Sequence, residues 1–207
     1  MVIEKRPWVL EKGEDDMGHK FHIKDKEKLD NPRRREYLPP KETLMEMGLQ
    51  EGDVMADIGC GIGYFTLPAS EIVGQGGKVY ALDISREMLK EVEERLKEGK
   101  ISNVQGVLVA EDHLVLPDGS VSYAFLCNVL HEVGDQDAYL DEVSRILKDG
   151  GKMGIIEWEK KEGEMGPPVT HRIDKTEVEA LLKRKGYQSI SIGNITPDIY
   201  RIVAIRE

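Results

Sequence analysis

Val54-Met55-Ala56-Asp57-Ile58-Gly59-Cys60-Gly61-Ile62-Gly63 is the stretch that decides the fold. A short apolar run over residues 53–58 ends in an acid and opens into alternating glycines, which is the pattern of a buried strand followed by a tight turn. Glycines there let the backbone turn and let a ligand approach without a Cβ in the way. Two details narrow the ligand. Asp57 stands before the first glycine, at the strand's end, where a fixed carboxylate attracts an ammonium group and repels a pyrophosphate. The spacing is GxGxG, whereas a dinucleotide fingerprint needs a glycine where Tyr64 stands. The ligand is therefore expected to be cationic near the turn.

Outward from this turn, the chain alternates strand and helix signals. Residues 78–82 read as a second strand closed by Asp83, an acid roughly 20 residues past the glycines, which suits bidentate bonding to ribose hydroxyls. On its own Asp83 reads equally as a loop carboxylate or helix cap; the glycine turn at the right distance favours the ribose. Ser85 is a cap for a helix running to about residue 98. Strands are expected at 103–109, 121–127 and 152–158, with helices at 64–73, 135–147 and 174–185. Asp149-Gly150-Gly151 reads as a helix stop, and 161–170 as a loop. Two strands close the sequence, near 188–192 and 199–205, joined by a connection so short that they should pair as a hairpin. The alternation predicts a parallel sheet covered on both faces. Residues 1–40 are polar and broken by prolines, and read as an N-terminal extension with one or two short helices. Residues 41–207 form the main domain, opening on a short helix at 41–47.

Composition sets outer limits. The 207 residues suffice for one domain with a sizeable core. No apolar run approaches the ~20 residues that cross a bilayer, and the first ten residues lack the apolar segment of a signal peptide. Cys60 and Cys127 form no CxxC pair, so neither a disulfide framework nor a metal site is expected, and a reducing cytoplasm is the default setting. The net charge of -10 repels phosphate backbones, so no nucleic-acid partner is expected. Arg33-Arg34-Arg35 is a local basic run, interleaved with acids and read as a solvated face.

Taken together, Asp57-Ile58-Gly59-Cys60-Gly61-Ile62-Gly63, then Asp83, then Leu116-Pro117-Asp118-Gly119-Ser120, then Leu147-Lys148-Asp149-Gly150-Gly151 resembles the class I S-adenosylmethionine (SAM)-dependent methyltransferases. Within them it is similar to the small ubiquinone/menaquinone-biosynthesis-like or arsenite-methyltransferase-like group, over roughly residues 40 to 207. The resemblance implies a Rossmann-like α/β fold with seven strands in the order 3-2-1-4-5-7-6, mostly parallel, the last antiparallel. It implies SAM as cofactor, S-adenosylhomocysteine as product and a small-molecule acceptor, with a homodimer possible and no membrane partner. Carried onto this chain, Gly59, Cys60, Gly61 and Gly63 form the cofactor turn. Asp57 holds the ammonium and Asp83 the ribose. Ile84 and Met88 flank the adenine. Glu111 or Asp112 reaches the adenine edge; the family's usual Gly-Asp-Ala reads Val109-Ala110-Glu111-Asp112 here. Cys127 and Asn128 line the floor near the sulfonium.

On the acceptor side, Asn128-Val129-Leu130-His131-Glu132 lacks the Asn/Asp-Pro-Pro-Tyr tetrad of amine methylases. His131 has the right ordinary pKa, about 6.5, for a general base, or else it structures its loop. The N-terminal stretch around Phe21, Leu29, Arg33, Tyr37 and Leu38 can fold over the carboxyl ends of the strands as a lid, and the loop from Trp158 to His171 leaves strand five on the same edge. Tyr37, Trp158 and His171 are therefore substrate-side candidates, with plain packing as the alternative. Two cysteines, neither placed to face an acceptor, count against arsenic(III), which wants converging thiolates. Two other functions stay open: a catalytically silent SAM-binding partner protein, and a nicotinamide-dependent oxidoreductase, which the acid and the glycine spacing disfavour.

Overall fold

The structure, a computed structural model, describes residues 26–163 and 165–207; Phe21 lies outside the described residues. Three short helices precede the sheet: α1 (Lys26–Leu29), α2 (Pro32–Tyr37) and α3 (Pro40–Glu46). Asn31 caps α2 by accepting from the Arg34 amide, and Pro32 takes the first helical position, where a missing N–H costs nothing. The alternation then runs β1 (Val54–Ile58), α4 (Thr66–Val73), β2 (Lys78–Asp83), α5 (Arg86–Glu98), β3 (Val104–Leu108), β4 (Val121–Cys127), α6 (Gln136–Ile146), β5 (Leu147–Trp158), α7 (Lys175–Arg184), β6 (Tyr187–Thr196) and β7 (Ile199–Arg206). Ser85, Asp135 and Asp174 cap α5, α6 and α7, the last through a full capping box with Glu177.

The seven strands lie in the order β3-β2-β1-β4-β5-β7-β6. The first five are parallel, and β7 runs antiparallel to both β5 and β6. This is the topology expected from the sequence. Three boundaries differ by more than one residue. β5 begins at Leu147, not at Lys152: Leu147 pairs with Val121, the register shifts before Tyr123 meets Lys152, and the Asp149-Gly150-Gly151 segment is absorbed into the strand as an irregularity. β6 extends to Thr196 because two further register shifts let it follow the twist of β7. The helix α4 also starts two residues late, since residues 61–65 remain in turns.

Both faces of the sheet are buried. Ile58, Leu82, Leu126, Leu140, Val143 and Leu182 pack on one face, and Leu44, Phe65, Ala69, Phe125 and Trp158 on the other. Each such large side chain contributes about 1.5–3 kcal/mol on burial. Polar ties lock the layers: Tyr123 Oη donates to the Met47 carbonyl at 3.0 Å, and the Asn103 amide caps the carbonyls of Ser70 and Gly74 at the end of α4. The parallel ladder brings Ile58, Asp83, Cys127 and Trp158 to one edge of the sheet, the edge at which ligands bind in such folds.

Candidate functional site

A cleft of about 1710 Å³ opens at that edge. It exceeds the ~300–1,000 Å³ of a pocket for one small ligand and has room for two. Its inner wall is the turn after β1. Gly59 and Gly61 adopt φ of 68° and 53°, a region that side chains with a Cβ avoid. A Cβ on Gly59 would sit 2.4 Å from Val129 Cγ2. The amides of Gly59 and Cys60 both donate to the Leu82 carbonyl, at 2.8 and 3.0 Å. The Gly61 amide donates to Asp83 Oδ2 at 2.8 Å. These N–H groups face inward and hold the turn to β2. What the glycines offer the cleft on this side is a missing Cβ.

Asp57 is buried at the foot of the turn, 3% exposed. Thr66 Oγ1 donates to its Oδ2 at 2.5 Å, and no cation pairs with it among the described residues. Burial pushes its pKa up to about 7, Asp83 adds to the rise, and the Thr66 bond only partly offsets it. Asp83 is buried too, and burial raises its pKa against three backbone amides that hold it charged, those of Ser85, Gly61 and Ile84. Two anchored carboxylates on one wall make this half of the cleft a receptor for a cation and for hydroxyl donors.

Of the other expected cofactor residues, Cys60, Ile84, Met88, Glu111, Cys127 and Asn128 line the cleft. Gly63 and Asp112 do not. Gly63 turns its back on the cleft: its amide bonds the Cys60 carbonyl, and a Cβ there would strike Leu67 at 2.7 Å, so its role is to let α4 pack. Asp112 is exposed and off the cleft wall, so of the two acids Glu111 is the one that lines it. Asn128 takes φ of 58°, and its Oδ1 is buried without a hydrogen-bond partner.

His131 lies in a 3-10 turn over Leu130–Glu132, directly after β4. Its ring is nearly buried, and Nδ1 lies 2.6 Å from Glu157 Oε2. Its amide donates to Glu157 Oε1 at 3.2 Å. Burial lowers the His131 pKa, but the bond to Glu157 and its charge outweigh that, and the net shift is upward. A carboxylate only accepts, so the neutral ring carries its proton on Nδ1 and keeps Nε2 as a base. Sequence reading missed Glu157; an acid inside the apolar Ile155-Ile156-Glu157-Trp158 run was the available signal.

The expected acceptor-side residues divide. Tyr37 is half-buried and His171 exposed, both on the cleft wall. Trp158 also borders the cleft but is 9% exposed, with Gly166 packed flat on its ring and the Arg172 guanidinium 5.7 Å from its centroid. Its main role is to seat the loop. The Arg33-Arg34-Arg35 run is not uniformly solvated either: Arg34 turns inward, 4.3 Å over the Tyr64 ring, while its neighbours stay outside. Leu29 and Leu38 also border the cleft.

The sequence profile of the ubiE/COQ5 methyltransferase family matches residues 38–166. The chain belongs to the ubiE/COQ5 methyltransferase family. It is 37% identical over 117 residues to a demethylmenaquinone methyltransferase of Anoxybacillus flavithermus, covering 56% of this chain and 49% of that protein. It is 32% identical over 126 residues to the ubiquinone/menaquinone biosynthesis C-methyltransferase UbiE of Pseudoalteromonas translucida, over 60% of this chain and 50% of that one. The chain thus spans about half the length of these curated relatives. Among solved structures, a SAM dependent methyltransferase from Aquifex aeolicus superposes with a TM-score of 0.85 at 31% identity, covering 91% of this chain and all of the other. Family and topology agree with the resemblance drawn from the four motifs. Among the described residues, no helix of this ubiE/COQ5 family member is long and apolar enough to cross a membrane.

Proposed function

We propose that this chain transfers a methyl group from S-adenosylmethionine to a small-molecule acceptor. One observation carries the reading: Asp57, buried and without a cation among the described residues, shares a wall with Asp83, whose carboxylate is fixed by the turn itself. The residues present fit the cofactor. Asp57 would take the ammonium group, Asp83 the ribose hydroxyls, and Ile84, Met88 and Glu111, all on the cleft wall, would border the base. When bound, SAM supplies an electrophilic methyl on a positively charged sulfur.

The chain's own residues then do three things. The turn and Asp83 orient the cofactor, and alignment with an acceptor supplies much of the rate. His131 Nε2 takes the acceptor's proton, with Glu157 holding the ring. The N-terminal segment, residues 1–40, acts as a lid together with the loop after Trp158; α1 and α2 already border the mouth through Lys28, Leu29, Arg33 and Tyr37. The small-molecule acceptor, the absence of a nucleic-acid partner and a cytoplasmic setting rest on the net charge of -10 and the two free cysteines. A homodimer is part of the same reading, and sedimentation checks it.

Isothermal titration tests the core of the proposal. SAM and S-adenosylhomocysteine should bind, and NAD should not. Tight NAD binding with no response to either sulfur nucleoside would sink it.

A further inference from the structure

The cleft wall carries charges of both signs. The cofactor half holds Asp57, Asp83, Glu87 and Glu111, and the rest of the lining adds Glu132 and Glu177 beside Lys28, Arg33 and Lys160. The acceptor half brings in two buried guanidiniums, Arg34 at 9% and Arg172 at 4% exposure, in a protein whose net charge is -10. Arginine is almost never fully buried unless paired, and an uncompensated buried charge is costly. Neither arginine has a carboxylate partner among the described residues.

Arg34 Nη1 donates to the Leu29 carbonyl at 2.8 Å, its plane covers Tyr64, and Nη2 approaches Cys127 Sγ at 4.0 Å. That thiol offers no counter-charge, because burial pushes its pKa up to about 12. Arg172 bonds four carbonyls, those of Pro167, Glu159, Lys161 and Met165, which fix the lid loop but cancel no charge. Glu157, the buried carboxylate on this side, is held by His131. Both guanidiniums touch one apolar cluster, Arg34 at Cys127 and Arg172 at Trp158, to which Tyr37 and Met165 also belong.

We infer that the acceptor is a small organic anion, an oxyanion on an apolar body, with Arg34 answering its charge, the field of the carbonyl-bound Arg172 adding to it and the Tyr37–Met165 cluster packing its carbon frame. The inference rests on the methyltransferase reading above. It separates this chain from an acceptor that is bound by apolar contact alone. Charge-assisted bonds to an oxyanion are about twice as strong as neutral ones, so the charge should dominate selection.

The test is titration calorimetry on the full chain saturated with S-adenosylhomocysteine. Two matched pairs serve as probes: 3,4-dihydroxybenzoate against its methyl ester, and phenyl phosphate against phenol. The anionic member of at least one pair should bind at least about tenfold tighter, and which pair responds tells carboxylate from phosphate. Arg34→Gln should erase most of that preference while leaving S-adenosylhomocysteine affinity within about twofold, and Arg34→Lys should keep part of it. A melting curve confirms that each variant is folded. Equal binding within both pairs, absence of binding by both anions, a neutral quinol binding as tightly as either anion, or an undiminished preference in Arg34→Gln would each overturn the inference. Absence of S-adenosylhomocysteine binding to the unaltered chain would instead bring down the methyltransferase reading, and this inference with it.

Discussion

His131 Nδ1 and Glu157 Oε2 stand 2.6 Å apart, and the other oxygen of the same carboxylate receives the His131 amide at 3.2 Å. One acid on β5 thus fixes both the backbone and the ring of a residue just beyond β4. This leaves one tautomer, with Nε2 as the acceptor of a proton. Glu157→Gln should reverse that preference, since an amide can donate to Nδ1. We expect kcat to fall by about 10²- to 10⁴-fold with little change in the acceptor's KM. The pH profile gives the second check. Glu157 raises the His131 pKa, so in the Gln variant the acidic limb of kcat/KM should move to lower pH. The sign for stability follows from the same shift: the pair stabilises the fold fully below the ordinary histidine pKa of about 6.5 and loses this contribution as pH rises through the raised value. Unchanged kcat and pH limb in the variant would mean that His131 is structural.

Asp57 has a pKa of about 7 in the free protein, so lowering the pH toward 6 removes the charge that an ammonium group needs. SAM affinity should therefore fall as pH drops through 7 and level off above 8, as read by titration at several pH values. A raised carboxyl pKa also means that the folded state holds a proton the unfolded state has lost between about pH 4 and 7. Stability from this group is present below that window and is lost as pH rises across it. Asp57→Asn keeps an acceptor for Thr66 and removes the buried charge, so at pH 8 the free variant should gain about 1–2 kcal/mol, roughly 3–6 °C in Tm. The same variant should lose SAM binding. A lower Tm at pH 8 would show that the charge is compensated in a way the geometry lacks.

Asp83 accepts from the Gly61 and Ser85 amides, at 2.8 Å each, and in the proposed reading also holds the cofactor's ribose. Asp83→Ala leaves both amides without their acceptor, so it should cost about 1–3 kcal/mol of stability as well as the cofactor site. Asp83→Asn restores one acceptor oxygen and should recover part of the stability but little of the affinity. Comparing chemical denaturation with titration for the two variants separates the duties; parallel loss of both quantities would argue against a direct role in binding.

Gly59→Ala brings a methyl group to within 2.4 Å of Val129 Cγ2 at a φ of 68°. Overpacking and left-handed strain together should destabilise the chain by about 2–4 kcal/mol. Val129→Ala in the same chain should return the steric share and leave the backbone share. A double-mutant cycle in urea measures the coupling, and additive effects would show that the two residues do not meet.

Much of this architecture was legible before any coordinates. The apolar run before Asp57, the glycines behind it, the acid closing β2 and the short link between the last two strands point to the alternation and the closing hairpin, because each is a local signal with a local cause; the sheet order is what the family resemblance implies. The pairings across the cleft were not legible in that way. Glu157 lies on β5 and His131 in the turn just beyond the neighbouring β4, and they meet only through the parallel register that places Cys127 beside Ile156. Arg34 sits in a run of three like residues, and only the helical phase of α2 decides which of them turns inward. Arg172 finds its partners among carbonyls, which leave no trace in side-chain sequence. Gly63 matched a motif for ligand binding yet serves Leu67, since a glycine required for packing and one required for a ligand look the same when written as letters.

The antiparallel insertion of β7 between β5 and β6 also sets a schedule for biosynthesis. As the polypeptide leaves the ribosome, the strands that frame Asp57 and Asp83 can pair as soon as they emerge. The outer edge of β5, with Glu157 opposite Tyr200 and Trp158 opposite Ile199, stays unmatched until residues 199–206 have been translated. The part of the cleft lined by Trp158 and Ile199 is thus completed after the part framed by Asp57 and Asp83, and a ribosome that halts before residue 199 leaves a half-built cleft.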